Sequence, residues 1–250
     1  MSDFDDVDFH CSDSTDAAKC AQLVRESIRV WSNVVTFADL KRTARNSCLG
    51  KYFSPFYGPL LYDGDIQASG DNPQMTNDYS SMFADIQSLG FITFDSQFEE
   101  YDENARYGAH MGRKAGAKFT SFQKAYVVGL MPKVLAERVC GMFNTWPNFV
   151  AFRVEQQRDV PSEYMNPRLY LGVTGAKGDH ELSTNLRAMN NGVPEELYRW
   201  CPRIWNIVDE HKLVYVTIVN TDYKAPIGTL LRTLREALAF LHKKRIGVIE

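Results

Sequence analysis

Apolar residues recur along this chain at helical spacing in some stretches and in short continuous runs in others. Cys20, Leu23, Val24, Ile28 and Trp31 form one helical stripe, the period of a helix that buries a single face. Thr36 with Asp39 has the form of a capping box for a second helix, which Gly50 stops. Thr76 is the expected cap of a third helix, with Tyr79, Met82, Phe83, Ile86 and Leu89 on one face and Gly90 at its end. Residues 90–97 then form a strand, and the apolar run 125–131 reads as a strand buried on both faces. Pro132 suits the first turn of a helix presenting Leu135, Val139, Met142 and Phe143. Residues 149–154 and 168–173 are further strands, and Pro194 and Pro202 each open a short helix, carrying Leu197 and Trp200, then Trp205 and Val208. The strongest strand pattern is 213–219. Pro226 opens a last helix with Leu230, Leu231, Leu234, Leu238 and Leu241 on its buried face, and Lys243, Lys244 and Arg245 suit the dipole at its C-terminal end.

Between these elements the pattern fails in three places. Residues 1–16 carry six aspartates and few bulky apolar groups, which predicts a mobile acidic arm, either solvated or docking through Phe4 and Phe9. Residues 52–73 are rich in Pro, Gly, Tyr and Asp, and residues 99–118 are polar and Gly-rich, so both are expected as long surface loops. No internal repeat or low-complexity linker divides the chain. Helices and strands alternate irregularly, which predicts an α+β (or α/β) fold. The expectation is a single globular domain over 17–250, with a mixed β-sheet core flanked by helices.

Composition narrows the class. The chain has 250 residues, 44% hydrophobic and 24% charged, with a formal net charge of −3. Neither an overall basic excess for nucleic acid nor an apolar run near the roughly 20 residues needed to span a bilayer is present. The acidic start is the opposite of a secretory leader. The cysteines, at 11, 20, 48, 140 and 201, are odd in number and far apart. That suits neither a disulfide framework nor a zinc site, and a reducing intracellular compartment is the expectation.

Catalysis has no anchor in the sequence. His10, His110, His180, His211 and His242 show no metal-ligand spacing, and His211 suits a helix terminus. The Gly-rich run 172–178 follows a strand but lacks the Gly-Lys-Ser/Thr ending of a phosphate loop, so a turn is favoured. The paired carboxylates Glu99-Glu100 and Glu195-Glu196 lie in a loop and a helix start, where solvation explains them. The feature that stands out is the end of the strand 90–97. There Thr93, Asp95, Ser96 and Gln97 set hydroxyl, carboxylate and amide groups at a sheet edge, where sheet-based binding sites usually lie.

These residues carry a resemblance. A helix, then Gly90, two apolar residues, Thr93 and Ser96-Gln97, followed by Gln123-Lys124-Ala125-Tyr126, resembles the C-terminal regulatory domain of eukaryotic methylenetetrahydrofolate reductase. That domain binds S-adenosylmethionine. Thr76 and Thr93 have the separation of two ligand-contacting threonines of the family, and Ser96 matches a third ligand-contacting hydroxyl. Asn220-Thr221-Asp222-Tyr223, after a helix and an apolar strand, resembles its Asn-Asp-Phe turn. The likeness runs loosely from Val30 to Leu241, and the family's flavin-binding barrel has no counterpart here.

The resemblance implies a free-standing, non-catalytic module with a small-molecule site, for which S-adenosylmethionine or S-adenosylhomocysteine is the expected ligand. Thr76, Thr93, Asp95, Ser96 and Gln97 are its implied binding residues, with Thr184 (or Ser183) replacing a last ligand threonine. Departures point the other way. Met75 stands where the family has an acidic residue, Tyr170 where it has a threonine, and Phe98 where it has a proline. Met75 and Tyr170 favour an alternative, a structural or interaction protein such as a virion or scaffold component of a large DNA virus. Protein partners are implied by either reading, a homodimer or a larger assembly, in the cytoplasm or in a virion, with no part for nucleic acid or membrane. An enzyme consuming adenosylmethionine is a third reading and lacks an identifiable nucleophile or base.

Overall fold

The computed structural model describes residues 14–49, 51, 73–106, 118–154, 171–174, 180–184, 195–222 and 224–246. Its elements are α1 (Ser14–Ser32), α2 (Phe37–Cys48), α3 (Pro73–Ser88), β1 (Ile92–Gln97), β2 (Glu100–Arg106), β3 (Lys118–Gln123), β4 (Tyr126–Pro132), α4 (Lys133–Phe143), β5 (Phe149–Val154), β6 (Leu171–Thr174), β7 (His180–Thr184), α5 (Glu195–Trp200), α6 (Ile204–Glu210), β8 (Leu213–Asn220) and α7 (Thr229–Ile246).

Four strands form the central sheet in the order β1-β4-β8-β5. Every ladder in it is antiparallel. The fold is therefore α+β, and the expected mixed sheet is antiparallel throughout its described strands. β4 and β5 point the same way with β8 slotted between them, so α4 is the crossover of a split β-α-β unit. β8 is central because it can be: its burial is nearly continuous, as in β4, and only a strand covered on both faces tolerates so unbroken an apolar run.

The ladders sort the side chains between two cores. Val127, Gly129 and Met131 pair with Ile218, Val216 and Val214. That face meets α3, α4 and α7 in a cluster containing Phe83, Ile86, Val139, Phe143, Leu231, Leu234 and Leu238. The opposite face, through Ile92, Leu130 and Leu213, packs on Trp31, Leu197, Trp200, Ile204 and Ile207 of α1, α5 and α6. α2 serves both, with Leu40 and Ala44 in the second cluster and Cys48 in the first. Burying one side chain of this size stabilises the fold by about 1.5–3 kcal/mol, so these two layers outweigh any single polar contact.

Helix ends follow local chemistry. Thr36 caps α2, its hydroxyl accepting from the Asp39 N–H while Asp39 accepts from the Thr36 N–H. The Thr36 hydrogen bond, more than Arg42, holds the Asp39 carboxyl below the usual carboxylate range. α3 ends in a Schellman turn. Gly90 has φ +103, its N–H reaches the Gln87 carbonyl, and the Phe91 N–H reaches that of Ile86. Phe91 and Ile86 then meet in the core beneath it.

Several expectations change. α3 begins at Pro73, not at Thr76, because proline's fixed φ and missing N–H suit a first helical turn. Thr76 is thus inside the first turn and is not the cap. α1 begins at Ser14, so the last residues assigned to the acidic arm are helical, and residues 1–13 lie outside the described set. The expected loop 99–118 contains the strand β2, which pairs with β3 as a two-stranded ribbon, hidden from pattern reading because Tyr101 and Ala105 are its only apolar positions in β2. Its tip, 107–117, and the loop 52–72 lie outside the described residues. β6 starts at Leu171 and pairs antiparallel with β7, and residues 175–178 of the Gly-rich run lie outside the described residues. Trp205 is 47% exposed, and Ile204 and Ile207 hold the buried face of α6 instead.

β1 presses closely on β4 where Gly129 sits. A Cβ there would lie 2.1 Å from the Ile92 carbonyl oxygen. Gly129→Ala is expected to destabilise the protein by about 2–3 kcal/mol, read as a lower urea midpoint at unchanged slope.

Candidate functional site at the end of β1

A bulge decides which polar groups of β1 can act together. Register shifts between Thr93 and Asp95, so Thr93 pairs opposite Gly129 and Ser96 opposite Val127, while Asp95 and Gln97 pair opposite Val128 and Tyr126. An extra residue resets the alternation of a strand. Strict alternation would separate Thr93 from Ser96; the bulge puts them on one face, that of the α3–α4–α7 core. Positions 95 and 97 fall on the other. The four groups expected to converge are thereby divided two and two.

Thr93 is fully buried, and its hydroxyl accepts a hydrogen bond of 3.2 Å from Gln87 Nε2. The same nitrogen donates to Cys48 Sγ at 2.6 Å. Ser96 is half-buried. Thr76 lies in the first turn of α3 and Thr184 at the end of β7, opposite Leu171; β7 belongs to a ribbon whose other strand, β6, packs on β3. The side chains of Thr76, Asp95, Gln97, Thr184 and Met75 are outside the described set, as is Tyr170.

Sequence reasoning missed Glu99. Instead of being solvated in a loop, it is 2% exposed. Its carboxylate accepts from the Gly228 N–H (3.0 Å), the Leu230 N–H (3.1 Å) and Asn220 Nδ2 (3.0 Å). It caps α7 from a distance, placing a negative charge at the positive end of the helix dipole. The detectable signal was on α7 rather than on Glu99. The residue before the first turn of α7 is Gly228, which has no side chain to accept from the helix, so the Gly228 and Leu230 N–H groups need an acceptor from elsewhere. Gly228, φ +77, sits so close to Tyr79 that a Cβ would fall 2.6 Å from the ring. Tyr79 stacks on Phe98 at 4.5 Å and donates to the Ile227 carbonyl.

Asn220 completes the junction. Its N–H donates to the Ala125 carbonyl and its Oδ1 accepts from the Asp222 N–H, closing the turn that follows β8. Lys124, 8% exposed in the β3–β4 link, has an ammonium pKa lowered by burial.

The described cysteines are poor nucleophiles. Cys48, Cys140 and Cys201 are free thiols. Burial pushes Cys48 far up, only partly offset by the Gln87 hydrogen bond, and pushes Cys140 and Cys201 up to about 11. His211 is the C-cap of α6 and packs against Phe37 at 5.0 Å between ring centres. Among the described residues no cluster of His, Cys, Asp or Glu could hold a metal ion, and no helix is long and apolar enough to cross a membrane.

Searches with protein-family models and against curated proteins return no match to this chain.

Glu99→Gln keeps the shape but turns N–H donors toward the backbone N–H groups of α7. It is expected to cost about 2–3 kcal/mol, measured by chemical denaturation, since buried donors lose their charged acceptor.

Proposed function

We propose that this chain is a non-catalytic small-molecule-binding module of the adenosylmethionine-sensing type. The observation that supports this reading is the bulge in β1. Thr93 and Ser96 are the strand hydroxyls that the resemblance to the reductase's regulatory domain marks as ligand contacts. They need a bulge to share a face, and β1 has one at that step. In this reading Ser96 meets the ligand's polar end first, with Thr93 behind it. Asp95 and Gln97 act from the other face, and Thr76 and Thr184 contribute from α3 and β7. The ligand is S-adenosylmethionine or S-adenosylhomocysteine, and the module works inside the cell, in the cytoplasm.

A second reading is an interaction protein that keeps the fold and has lost the ligand, assembling as a homodimer or within a larger body such as a virion. The engagement of the Thr93 hydroxyl by Gln87 favours it, as do the exposed apolar residues Val134, Trp205 and Phe240, at 64%, 47% and 47%.

Thermal unfolding with and without S-adenosylmethionine separates the two. Ligand at a hundredfold its Kd stabilises the native state by about 2.7 kcal/mol. The binding reading expects that shift and expects Ser96→Ala to abolish it while leaving the ligand-free Tm nearly unchanged. The interaction reading expects no shift at millimolar ligand and a partner that co-purifies.

A further inference from the structure

Gln87 is a buried polar residue that the fold does not fully use. It is 1% exposed. Its Nε2 is spent on Cys48 and Thr93, while its Oε1 has no hydrogen-bond partner, and neither does Ser47 Oγ on the facing helix α2. A buried carbonyl left unpaired costs about 1–3 kcal/mol, and an apolar side chain of the same length would avoid that cost. Native proteins retain few such atoms, and those they retain call for a specific cause.

We infer that Gln87 is a further ligand-binding residue, its unpaired side-chain carbonyl receiving the N–H donors of an ammonium group on the amino-acid end of the ligand. This rests on the proposed binding function and adds to it the chemistry of one subsite. A carbonyl oxygen only accepts, so the incoming group must be a donor. Gln87 Nε2 is held by both the Cys48 sulfur and the Thr93 hydroxyl, which orients the amide and with it Oε1. The Cys48 thiol stays protonated under burial, so the subsite holds a cation by dipoles rather than by a countercharge. Ser47, Cys48, Gln87 and Thr93 are all buried, so the subsite lies behind Ser96, beneath the packed pair α2 and α3.

The test compares wild type with Gln87→Met by calorimetric titration and thermal unfolding. The probes are S-adenosylmethionine and 5′-methylthioadenosine, which lacks the amino-acid end. The expected result is a ligand-free Gln87→Met that melts close to the wild-type temperature, because relief of the unpaired carbonyl offsets the bonds lost to Cys48 and Thr93. It should bind S-adenosylmethionine at least about tenfold more weakly, the loss of one hydrogen bond to a charged group. Its affinity for 5′-methylthioadenosine should match that of wild type. Unchanged affinity for S-adenosylmethionine in Gln87→Met overturns this inference and leaves the binding function standing. Wild type that binds neither probe overturns both. Should Gln87→Met fail to fold, the Gln87 side-chain amide signal in the wild-type NMR spectrum decides. It should move with S-adenosylmethionine and stay in place with 5′-methylthioadenosine, and a signal unmoved by S-adenosylmethionine overturns the inference.

Discussion

A single carboxylate joins the parts of this protein that are far apart in sequence. Glu99 leaves the end of β1, enters the interior and holds the first turn of α7 and the end of β8 at once. With glycine at its cap position, α7 has no side-chain cap of its own, so the Gly228 and Leu230 N–H groups would otherwise be buried without acceptors. The close approach of Gly228 to Tyr79, and of Tyr79 to Phe98, depends on α7 starting at that height. The long leucine face of α7 reaches the core from the same starting point. The carboxylate therefore fixes where the last helix begins, and the helix closes one side of the sheet.

The polar run from Thr93 to Glu99 is divided in its duties. Glu99 is bound up in the fold, and Thr93 is engaged by Gln87. Ser96 remains half-buried at the bulged end of an edge strand, on the same face as Thr93. The described thiols are held protonated by burial, and His211 is engaged at a helix end. In the proposed binding function, the hydroxyls and amides of the polar run would recognise a ligand by its donors and acceptors.

Much of the fold was legible in the sequence because its signals are local. The stripe ending at Trp31, the Thr36–Asp39 box, the Gly90 stop and the apolar runs of β4 and β8 each follow from neighbours a few residues apart. What was not legible depends on distant partners. The β2–β3 ribbon has too few apolar positions to show a strand period, and Pro73 overrode Thr76 as the start of α3. Glu99 reads as one half of an acidic pair until the uncapped start of α7, more than a hundred residues on, is placed beside it. The bulge has no local signature either. Polar residues at 93, 95 and 97 suggest simple alternation, and only the pairing with Gly129 and Val127 brings Thr93 and Ser96 to one face.

Amide hydrogen exchange followed by NMR, in the free protein and with S-adenosylmethionine, tests this division of duties most directly. In the free protein the Gly228 and Leu230 amides should exchange as slowly as those of β8, because the Glu99 carboxylate releases them only on global unfolding. The amides of β1 from Asp95 to Gln97 should exchange faster, and slow when ligand is added. Fast exchange at Gly228 and Leu230, or a β1 end indifferent to ligand, would contradict the account.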